Sequence, residues 1–224
     1  MGLWRRIVTR TPRMTVDAEV DTLHLGTTYG GYAVVPHLLH EGSIVYSFGV
    51  GEDASFDLDL IARFGSTVHA FDPTPRCRAW VERQIWPEQF HFHPVGVAGQ
   101  DGELTLHAPP DPTHVSFSPV ARKGSAEAVT VPVRTVRSLM AKLDHPRIDL
   151  LKADVEGAEY EVIEDLLAHG PQPAQLMLEF HHHLPTIALS RTKTAIAALR
   201  AAGYCLFDQS HAGAEMSFVH RDQL

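Results

Sequence analysis

Short apolar runs of strand length alternate with helical patterns along the chain from about residue 43 onward. Residues 43–48 form an apolar run that Gly49 and Gly51 close. Apolar residues then recur at every fourth position from Phe56 to Phe64, which is the spacing of one face of a helix. This succession of strand, glycine turn and helix predicts an α/β fold.

The same alternation continues toward the C-terminus. Further strands are predicted at residues 67–71, 91–97, 148–153 and 175–180. Helical patterns lie between or after them, at residues 76–84, 155–167 and 192–202. Residues 204–208 and 216–220 read as a closing hairpin. The sequence therefore predicts an open, mostly parallel sheet with one terminal antiparallel strand.

One segment departs from the alternation. An Asp-Gly turn at residues 101–102 separates residues 95–97 from the alternating run 103–107, and we expect these two runs to pair antiparallel. Residues 129–133 form another short strand, for which Pro132 favours an edge position. Together these features predict a small antiparallel insertion.

The chain has 224 residues, of which 44% are hydrophobic, enough for one sizeable core. We therefore predict a single domain over residues 1–224, with residues 1–40 as an N-terminal cap segment and residues 101–133 as the insertion. Residues 108–127, rich in Pro, Ser and Ala, form the longest stretch without a strand or helix pattern, and a loop of this length is more often a binding segment than an idle linker. Ser116 and Ser118 within it are candidate acceptor contacts, or else ordinary solvated serines.

Charge and cysteine content limit the partners and the compartment. The formal net charge is −8, and Lys and Arg cluster only in the short N-terminal stretch, so we expect no nucleic acid partner. No apolar run approaches the roughly 18 residues of a membrane span, so no membrane partner is expected. The two cysteines, Cys77 and Cys205, are far apart and fit a reducing, cytoplasmic setting.

Polar residues are concentrated where the predicted strands end. In open parallel sheets, ligands bind in the crevice at the carboxyl ends of the strands. The chain places glycine, carboxylate and imidazole groups at these ends: Gly49, Gly51, Glu52, Asp53, Asp72, Gly96, Asp154, Glu156, Gly157, Glu179, His181, His182 and His183. We expect the active site at this edge.

The first glycine turn points to a nucleotide-type cofactor. Gly49-Val-Gly51-Glu-Asp-Ala54 fits the loose G-x-G-x-x-G/A pattern, and Asp72 follows Gly51 by 21 residues, where a ribose-binding carboxylate belongs. A tight turn with a surface aspartate is the alternative. Glu52 and Asp53 would repel a pyrophosphate but tolerate a sulfonium and an ammonium. The turn thus favours S-adenosylmethionine over a dinucleotide.

Four segments of the chain resemble the FkbM family of methyltransferases: Tyr46–Asp57, Val68–Pro75, Leu151–Tyr160 and Gln175–His182. The most distinctive is Leu-Lys-Ala-Asp-Val-Glu-Gly-Ala-Glu-Tyr, and the resemblance extends over roughly residues 43–220. It implies a Rossmann-like class I fold that uses S-adenosylmethionine, with O-methylation of hydroxyls on natural products or sugars. It does not fix the substrate of this chain.

The resemblance places a carboxylate, here Asp154, beside the transferred methyl group. Asp154 is therefore predicted to orient the acceptor or the amino group of the cofactor, with a helix N-cap as the alternative. Glu156 and Gly157 belong to the same motif and are predicted to contact the cofactor. The predicted cofactor-binding residues are Gly49, Gly51, Glu52, Asp53, Asp72, Gly96, Glu156 and Gly157.

Methyl transfer to a hydroxyl also requires a proton acceptor. We predict His181 or His182 as this base, because histidine titrates near neutral pH, with Glu179 orienting it. The alternative is that the run of three histidines is compositional in a chain that holds 15.

The sequence thus predicts an S-adenosylmethionine-dependent O-methyltransferase that acts on a small metabolite or saccharide. The alternatives are an NAD-type oxidoreductase, disfavoured by the acidic turn, and a non-catalytic nucleotide-binding module. No metal is predicted, because the chain lacks a local pair such as H-x-x-x-H at the strand ends. Asp154, Glu179 and a histidine would nevertheless suit magnesium, manganese or zinc.

Overall fold

The computed structural model describes residues 12–28, 30–111, 116–121, 124–125 and 127–224. Its strands in chain order are β1 (Leu23–Leu25), β2 (Tyr32–Val34), β3 (Ile44–Phe48), β4 (Thr67–Phe71), β5 (Phe90–His93), β6 (Gly96–Val97), β7 (Gly102–His107), β8 (Ala128–Arg134), β9 (Leu150–Ala153), β10 (Gln175–Glu179), β11 (Tyr204–Gln209) and β12 (Glu215–His220). Its α-helices are α1 (Ser55–Phe64), α2 (Pro75–Val81), α3 (Val136–Leu143), α4 (Glu159–His169) and α5 (Leu189–Ala201).

Seven of the described strands form the main sheet, in the order β11-β12-β10-β9-β3-β4-β5. The pairs between β10, β9, β3, β4 and β5 are all parallel. Strand β12 runs antiparallel to both of its neighbours, β10 and β11. The prediction of a mostly parallel sheet with one terminal antiparallel strand is confirmed.

Both faces of this sheet are buried, as parallel sheets require. Along β3, Val45 packs with one apolar cluster and Tyr46 with the other, because successive side chains point to opposite faces. Residues of α3, α4 and α5 cover one face, and residues of α1, α2, β1 and β2 cover the other. Because both faces of the sheet are covered by apolar side chains, the polar groups gather at the carboxyl ends of the strands.

The inserted segment folds differently from the prediction. Residues 91–97 split at Pro94: β5 joins the main sheet, whereas β6 belongs to a three-stranded sheet in the order β6-β8-β7. The expected antiparallel pairing of residues 95–97 with 103–107 was wrong, because β8 lies between them, parallel to β6 and antiparallel to β7. A turn motif predicts only the local conformation of the chain, whereas the choice of a partner strand depends on contacts between distant residues.

The edge position expected for residues 129–133 was also wrong, since β8 is the central strand of the small sheet. Pro132 is tolerated there because β6 pairs only with the next two residues, Val133 and Arg134. Val131, Val133 and Leu106 form the buried core of this sheet. Their burial outweighs the preference of proline for an edge.

The described part of the N-terminal segment lies along the main sheet. The antiparallel pair β1–β2 packs against α1 and β12. The backbone N–H of Val35 donates to Gln175 Oε1 at 2.7 Å, and that of Met14 donates to Gln209 Oε1 at 2.9 Å. Residues 1–11, which are part of the predicted cap segment, lie outside the described residues.

Two helix ends matter for the site. Helix α1 is capped at its C-terminus by Gly65, whose left-handed φ of 67° is a conformation that glycine adopts readily. Helix α4 begins at Glu159 with Ala158 as its N-cap, later than the predicted start at residue 155. Asp154 is therefore not the N-cap, and the alternative role considered for it is excluded.

Across the described residues, helices are too short or too polar to cross a membrane.

Candidate active site

A cavity of about 660 Å³ lies at the carboxyl ends of β3, β4, β9 and β10. This volume is within the range of small-molecule sites, roughly 300 to 1,000 Å³. Ten of the twelve predicted site residues line it: Gly49, Gly51, Glu52, Asp53, Asp72, Gly96, Asp154, Glu156, Glu179 and His181. The fold therefore assembles most of the predicted residues around one space.

Glycines bring backbone close to the cavity. Gly49 has a φ of +82°, and a Cβ at this position would fall 1.8 Å from the carbonyl oxygen of Asp154. A Cβ on Gly96 would lie 3.0 Å from Pro73 Cγ and 3.1 Å from Val133 Cγ1. A side chain at position 49 would push the turn after β3 away from Asp154. A side chain at position 96 would push β6 away from Pro73 and Val133.

Asp72 fixes the glycine turn. It is buried, and its Oδ2 accepts hydrogen bonds from the backbone N–H groups of Val50 and Gly51 at 3.2 and 3.0 Å. Its Oδ1 accepts from the backbone N–H and the hydroxyl of Thr74 at 2.9 and 2.6 Å. The carboxylate predicted to bind ribose thus also positions the turn on which a cofactor would lie.

The two acidic residues of the turn have partners of their own. Glu52 forms an ion pair with Arg76 at 3.0 Å. Asp53 accepts hydrogen bonds from the N–H of Ser55 and the hydroxyl of Thr27, both at 2.8 Å. Burial acts to raise the pKa of Asp53, but these hydrogen bonds outweigh it and the pKa is lowered. Asp53 therefore presents a negative charge to the cavity.

His181 lies at the centre of a carboxylate cluster and is only 2% exposed. Its Nε2 is 3.6 Å from Asp154 Oδ1, 3.7 Å from Glu156 Oε2 and 3.9 Å from Glu179 Oε1, and its Nδ1 is 3.4 Å from Glu159 Oε2. Burial acts to lower the pKa of His181, but the surrounding carboxylates outweigh it and raise the pKa to about 10.

This environment suits a charged imidazolium, which has no free lone pair to accept a proton at neutral pH. The carboxyl groups around it are perturbed as well. Burial raises the pKa of Asp154, opposed by Lys152 and His181. The pKa of Glu179 is raised well above its usual value, mainly by burial and next by the negative charge of nearby Asp154. The carboxylates are thus better placed than His181 to accept a proton.

The turn between β9 and α4 holds Glu156 in an unusual conformation. Its φ is +51°, a left-handed value that non-glycine residues rarely adopt. The hydroxyl of Ser118 donates to the carbonyl oxygen of Glu156 at 2.6 Å, so this loop serine supports the turn. Glu159 accepts from the backbone N–H groups of Gly157 and His181, both at 2.8 Å. The turn is therefore fixed from both sides.

Two predicted residues lie outside the cavity lining. The Nδ1 of His182 is 3.2 Å from the hydroxyl of Thr192. His182 therefore contacts α5, whereas the adjacent His181 lines the cavity. A Cβ on Gly157 would face the side chains of Ile187 and Leu184 at 3.2 and 3.3 Å. Gly157 is needed for its φ of +113° rather than for contact with the cavity.

Sequence reasoning missed Lys152, which lines the cavity and donates from Nζ to the carbonyl oxygen of Gly49 at 2.7 Å. Among the described residues that line the cavity it is the one lysine or arginine, and it precedes Asp154 by two positions. A lysine in the middle of the apolar run of β9 was the available signal, because lysine is rarely buried without a partner.

Comparisons with known proteins show the family to which the chain belongs. The family described as Methyltransferase FkbM domain matches residues 34–206. The probable methyltransferase-like protein 24 of Rattus norvegicus and that of Homo sapiens are each 28% identical over 156 residues. Those matches include 68% of this chain but 36% of each relative, so the chain spans about a third of their length.

Two solved structures show the same fold. Methyltransferase FkbM from Methylobacillus flagellatus has a TM-score of 0.51 at 13% identity, over 81% of this chain and 44% of that one. The Methanococcus jannaschii fibrillarin pre-rRNA processing protein has a TM-score of 0.50 at 11% identity, over 81% and 68%. The fold is that of Rossmann-like class I methyltransferases. Since the family match includes most of the chain, the protein belongs to the FkbM family of methyltransferases, whose cofactor is S-adenosylmethionine.

Proposed function

We propose that this protein transfers the methyl group of S-adenosylmethionine to a hydroxyl of a small metabolite, with a saccharide as the favoured class. The observation that carries the proposal is the shared cavity. The glycine turn and Asp72 line it together with the carboxylates of Asp154 and Glu179. Family membership favours a methyl donor over the NAD-type alternative.

The residues of the turn fit the cofactor. The close approach of Gly49 to Asp154 leaves backbone, not side chain, at the cavity wall. Asp72 suits ribose hydroxyls, and Glu52 and Asp53 suit the positive charges of the methionine part. We assign Gly51, Gly96 and Glu156 to the same binding surface. When bound, the cofactor supplies a methyl group activated by its sulfonium.

The chain itself would position the acceptor and accept its proton. We propose that Asp154 orients the acceptor hydroxyl or the amino group of the cofactor. Glu179, beside it at the end of β10, would accept the proton in place of the histidines first predicted. His181 would act on both carboxylates electrostatically from its buried position, since its Nε2 lies 3.6 and 3.9 Å from them.

The insertion supplies one wall of the proposed acceptor site. Leu104, Leu106, Ser116, Phe117 and Val133 line the cavity. A wall of apolar and hydroxyl side chains opposite carboxylates suits a small polar molecule with an apolar ring face. We therefore keep the proposal of one domain over residues 1–224, with residues 101–133 at the acceptor and no nucleic acid or membrane partner.

An acceptor screen tests the proposed function. Purified protein is incubated with S-adenosylmethionine and sugars, phenols, amines or nucleic acids, and S-adenosylhomocysteine is measured by mass spectrometry. We expect product with a hydroxyl compound and a loss of roughly 100-fold or more in Asp154→Asn and Glu179→Gln, the scale of general acid–base catalysis. Glu164→Gln, an exposed change on α4, should retain the wild-type rate.

Turnover on an amine or on RNA, with none on any hydroxyl compound, would contradict the acceptor class. Binding of S-adenosylmethionine without turnover on any class would favour the non-catalytic module. Near wild-type rates in both Asp154→Asn and Glu179→Gln would show that the catalytic residues lie elsewhere.

A further inference from the structure

Three side chains at the end of β9 and β10 converge with the geometry of metal ligands. Asp154, Glu156 and His181 each offer one ligand atom, and these atoms all lie within 4.8 Å of one another. The Nε2 of His181 is 3.6 Å from the nearest oxygen of Asp154 and 3.7 Å from that of Glu156. Tetrahedral ligands at about 2.0 to 2.2 Å from an ion lie about 3.3 to 3.6 Å apart, so the two distances from His181 are already close to those of a metal site.

The histidine gives an observation independent of the acidic cluster. His181 is almost completely buried, and its Nε2 faces the cavity with every carboxylate oxygen beyond hydrogen-bond distance, at 3.6 Å or more. Its Nδ1 lies 3.4 Å from buried Glu159 and makes no well-formed hydrogen bond within the described residues. Metal-bound histidines commonly have a carboxylate at their other nitrogen in this way.

The backbone also holds one ligand in place. Glu156 occupies the left-handed region at φ +51°, which costs on the order of 1 to 3 kcal/mol for such a residue. The 2.6 Å hydrogen bond from Ser118 to its carbonyl oxygen maintains this turn. Strain kept by its surroundings is concentrated at ligand and catalytic sites. In this conformation the Oε2 of Glu156 lies 3.7 Å from His181 Nε2.

Charge favours a cation at this point. Four carboxylates, those of Asp154, Glu156, Glu159 and Glu179, surround a single imidazole at distances of 3.4 to 3.9 Å. Buried carboxylates are normally paired or coordinate a metal, because an uncompensated buried charge is costly. Even with Lys152 acting on Asp154, the carboxyl groups here outnumber the basic side chains, so a divalent ion would find donor oxygens in excess.

We propose that Asp154, Glu156 and His181 bind a divalent transition-metal ion in this cavity, with Glu159 fixing the histidine. Imidazole together with carboxylates suits manganese, iron or zinc better than magnesium or calcium. Binding requires neutral imidazole at Nε2, so the proton carried by His181 passes to solvent as the metal enters. If the proposed function holds, the ion would coordinate the acceptor oxygen and make it easier to deprotonate.

Direct metal binding tests the proposal without any assay of methyl transfer. Isothermal titration of the full chain with Mn²⁺, supported by electron paramagnetic resonance of the bound ion, should give one site. Glu156→Gln and Asp154→Asn should each weaken Mn²⁺ binding by at least tenfold, the usual effect of losing a ligand or its support. Both side chains are partly exposed, so these variants preserve the core.

Glu164→Gln is the matched control, because it removes a carboxylate from α4 outside the cluster and should leave Mn²⁺ affinity unchanged. The variants, rather than the stoichiometry alone, decide whether these residues bind the ion. No Mn²⁺ binding by wild type, or equal affinity in wild type, Glu156→Gln and Asp154→Asn, would overturn the proposal. Mn²⁺ binding that depends on these residues supports it even where no methyl transfer is found, a result that would count against the proposed function alone.

Discussion

Gly49 is the residue on which the shape of the cavity depends most directly. It combines a left-handed φ of +82° with a position in which a Cβ would overlap the carbonyl oxygen of Asp154. The same glycine carbonyl accepts the hydrogen bond from Lys152. Because Gly49 has no side chain, the ends of β3 and β9 can lie side by side.

Replacing Gly49 should therefore be costly. Gly49→Ala is expected to lower the free energy of unfolding by about 3 kcal/mol or more, because it adds left-handed strain and a 1.8 Å contact. Urea unfolding of wild type and variant measures the change. Gly102→Ala is the control, since a Cβ there meets nothing within 4 Å, and its effect should stay within about 0.5 kcal/mol. Equal stability of both variants would contradict the packing described for the turn.

Individual residues also show what a sequence can and cannot predict. The motif spacing was enough to place Asp72 beside the glycine turn. The protonation state of His181 was not predictable, because it depends on carboxylates from α4, from β10 and from the turn between β9 and α4. Such charges come together only in the folded chain. The base first predicted at His181 accordingly gives way to the proposed Glu179.

At the scale of elements, strands whose signal is local were predicted well. Strand β4 has the predicted bounds, Thr67–Phe71, and the C-terminal hairpin of β11 and β12 is present. The insertion was predicted less well because the position of β8 between β6 and β7 is set by long-range burial of Val131 and Val133. Periodicity of apolar residues identifies a strand but does not indicate which strand it pairs with.

Neighbouring strands β4 and β5 carry a second group of histidines away from the cavity. His69 and His93 lie 3.1 Å apart, and the rings of His91 and His145 contact His69. Burial lowers the pKa of His69 to about 3 and that of His93 to about 4, and the other histidines lower both further. Lys142 adds to the effect on His93. The lowered pKa values favour neutral imidazoles at His69 and His93 in the folded protein.

This histidine group predicts a loss of stability in mild acid. The folded pKa values lie below the unfolded value of about 6.5, so the unfolded state binds more protons as the pH falls below it. The free energy of unfolding should decrease from about pH 6.5 to pH 5, measured by urea unfolding at each pH. His69→Leu should flatten this dependence, and exposed His37→Gln should not. A slope in His69→Leu as steep as in wild type would contradict the assignment.

At the scale of the whole molecule, burial of both sheet faces leaves the carboxyl edge to carry the chemistry. The turn after β3, Asp72 after β4, Asp154 after β9 and Glu179 at the end of β10 come from separate parts of the chain and line one cavity. The sequence predicted this meeting point because parallel strands share their carboxyl edge. The acceptor lies beyond that argument, since the wall proposed for it comes from the insertion, whose strand pairing the sequence did not predict.

The central claim is that this cavity holds S-adenosylmethionine, with Asp72 as a main anchor. Isothermal titration of the full chain with S-adenosylmethionine, and separately with NADH, tests it most directly. We predict binding of S-adenosylmethionine at one site and a loss of about tenfold or more in Asp72→Asn, the value of a charge-assisted hydrogen bond. Glu82→Gln, an exposed change just after α2, should bind like wild type. NADH bound more tightly than S-adenosylmethionine, or an affinity unchanged in a folded Asp72→Asn protein, would contradict the account.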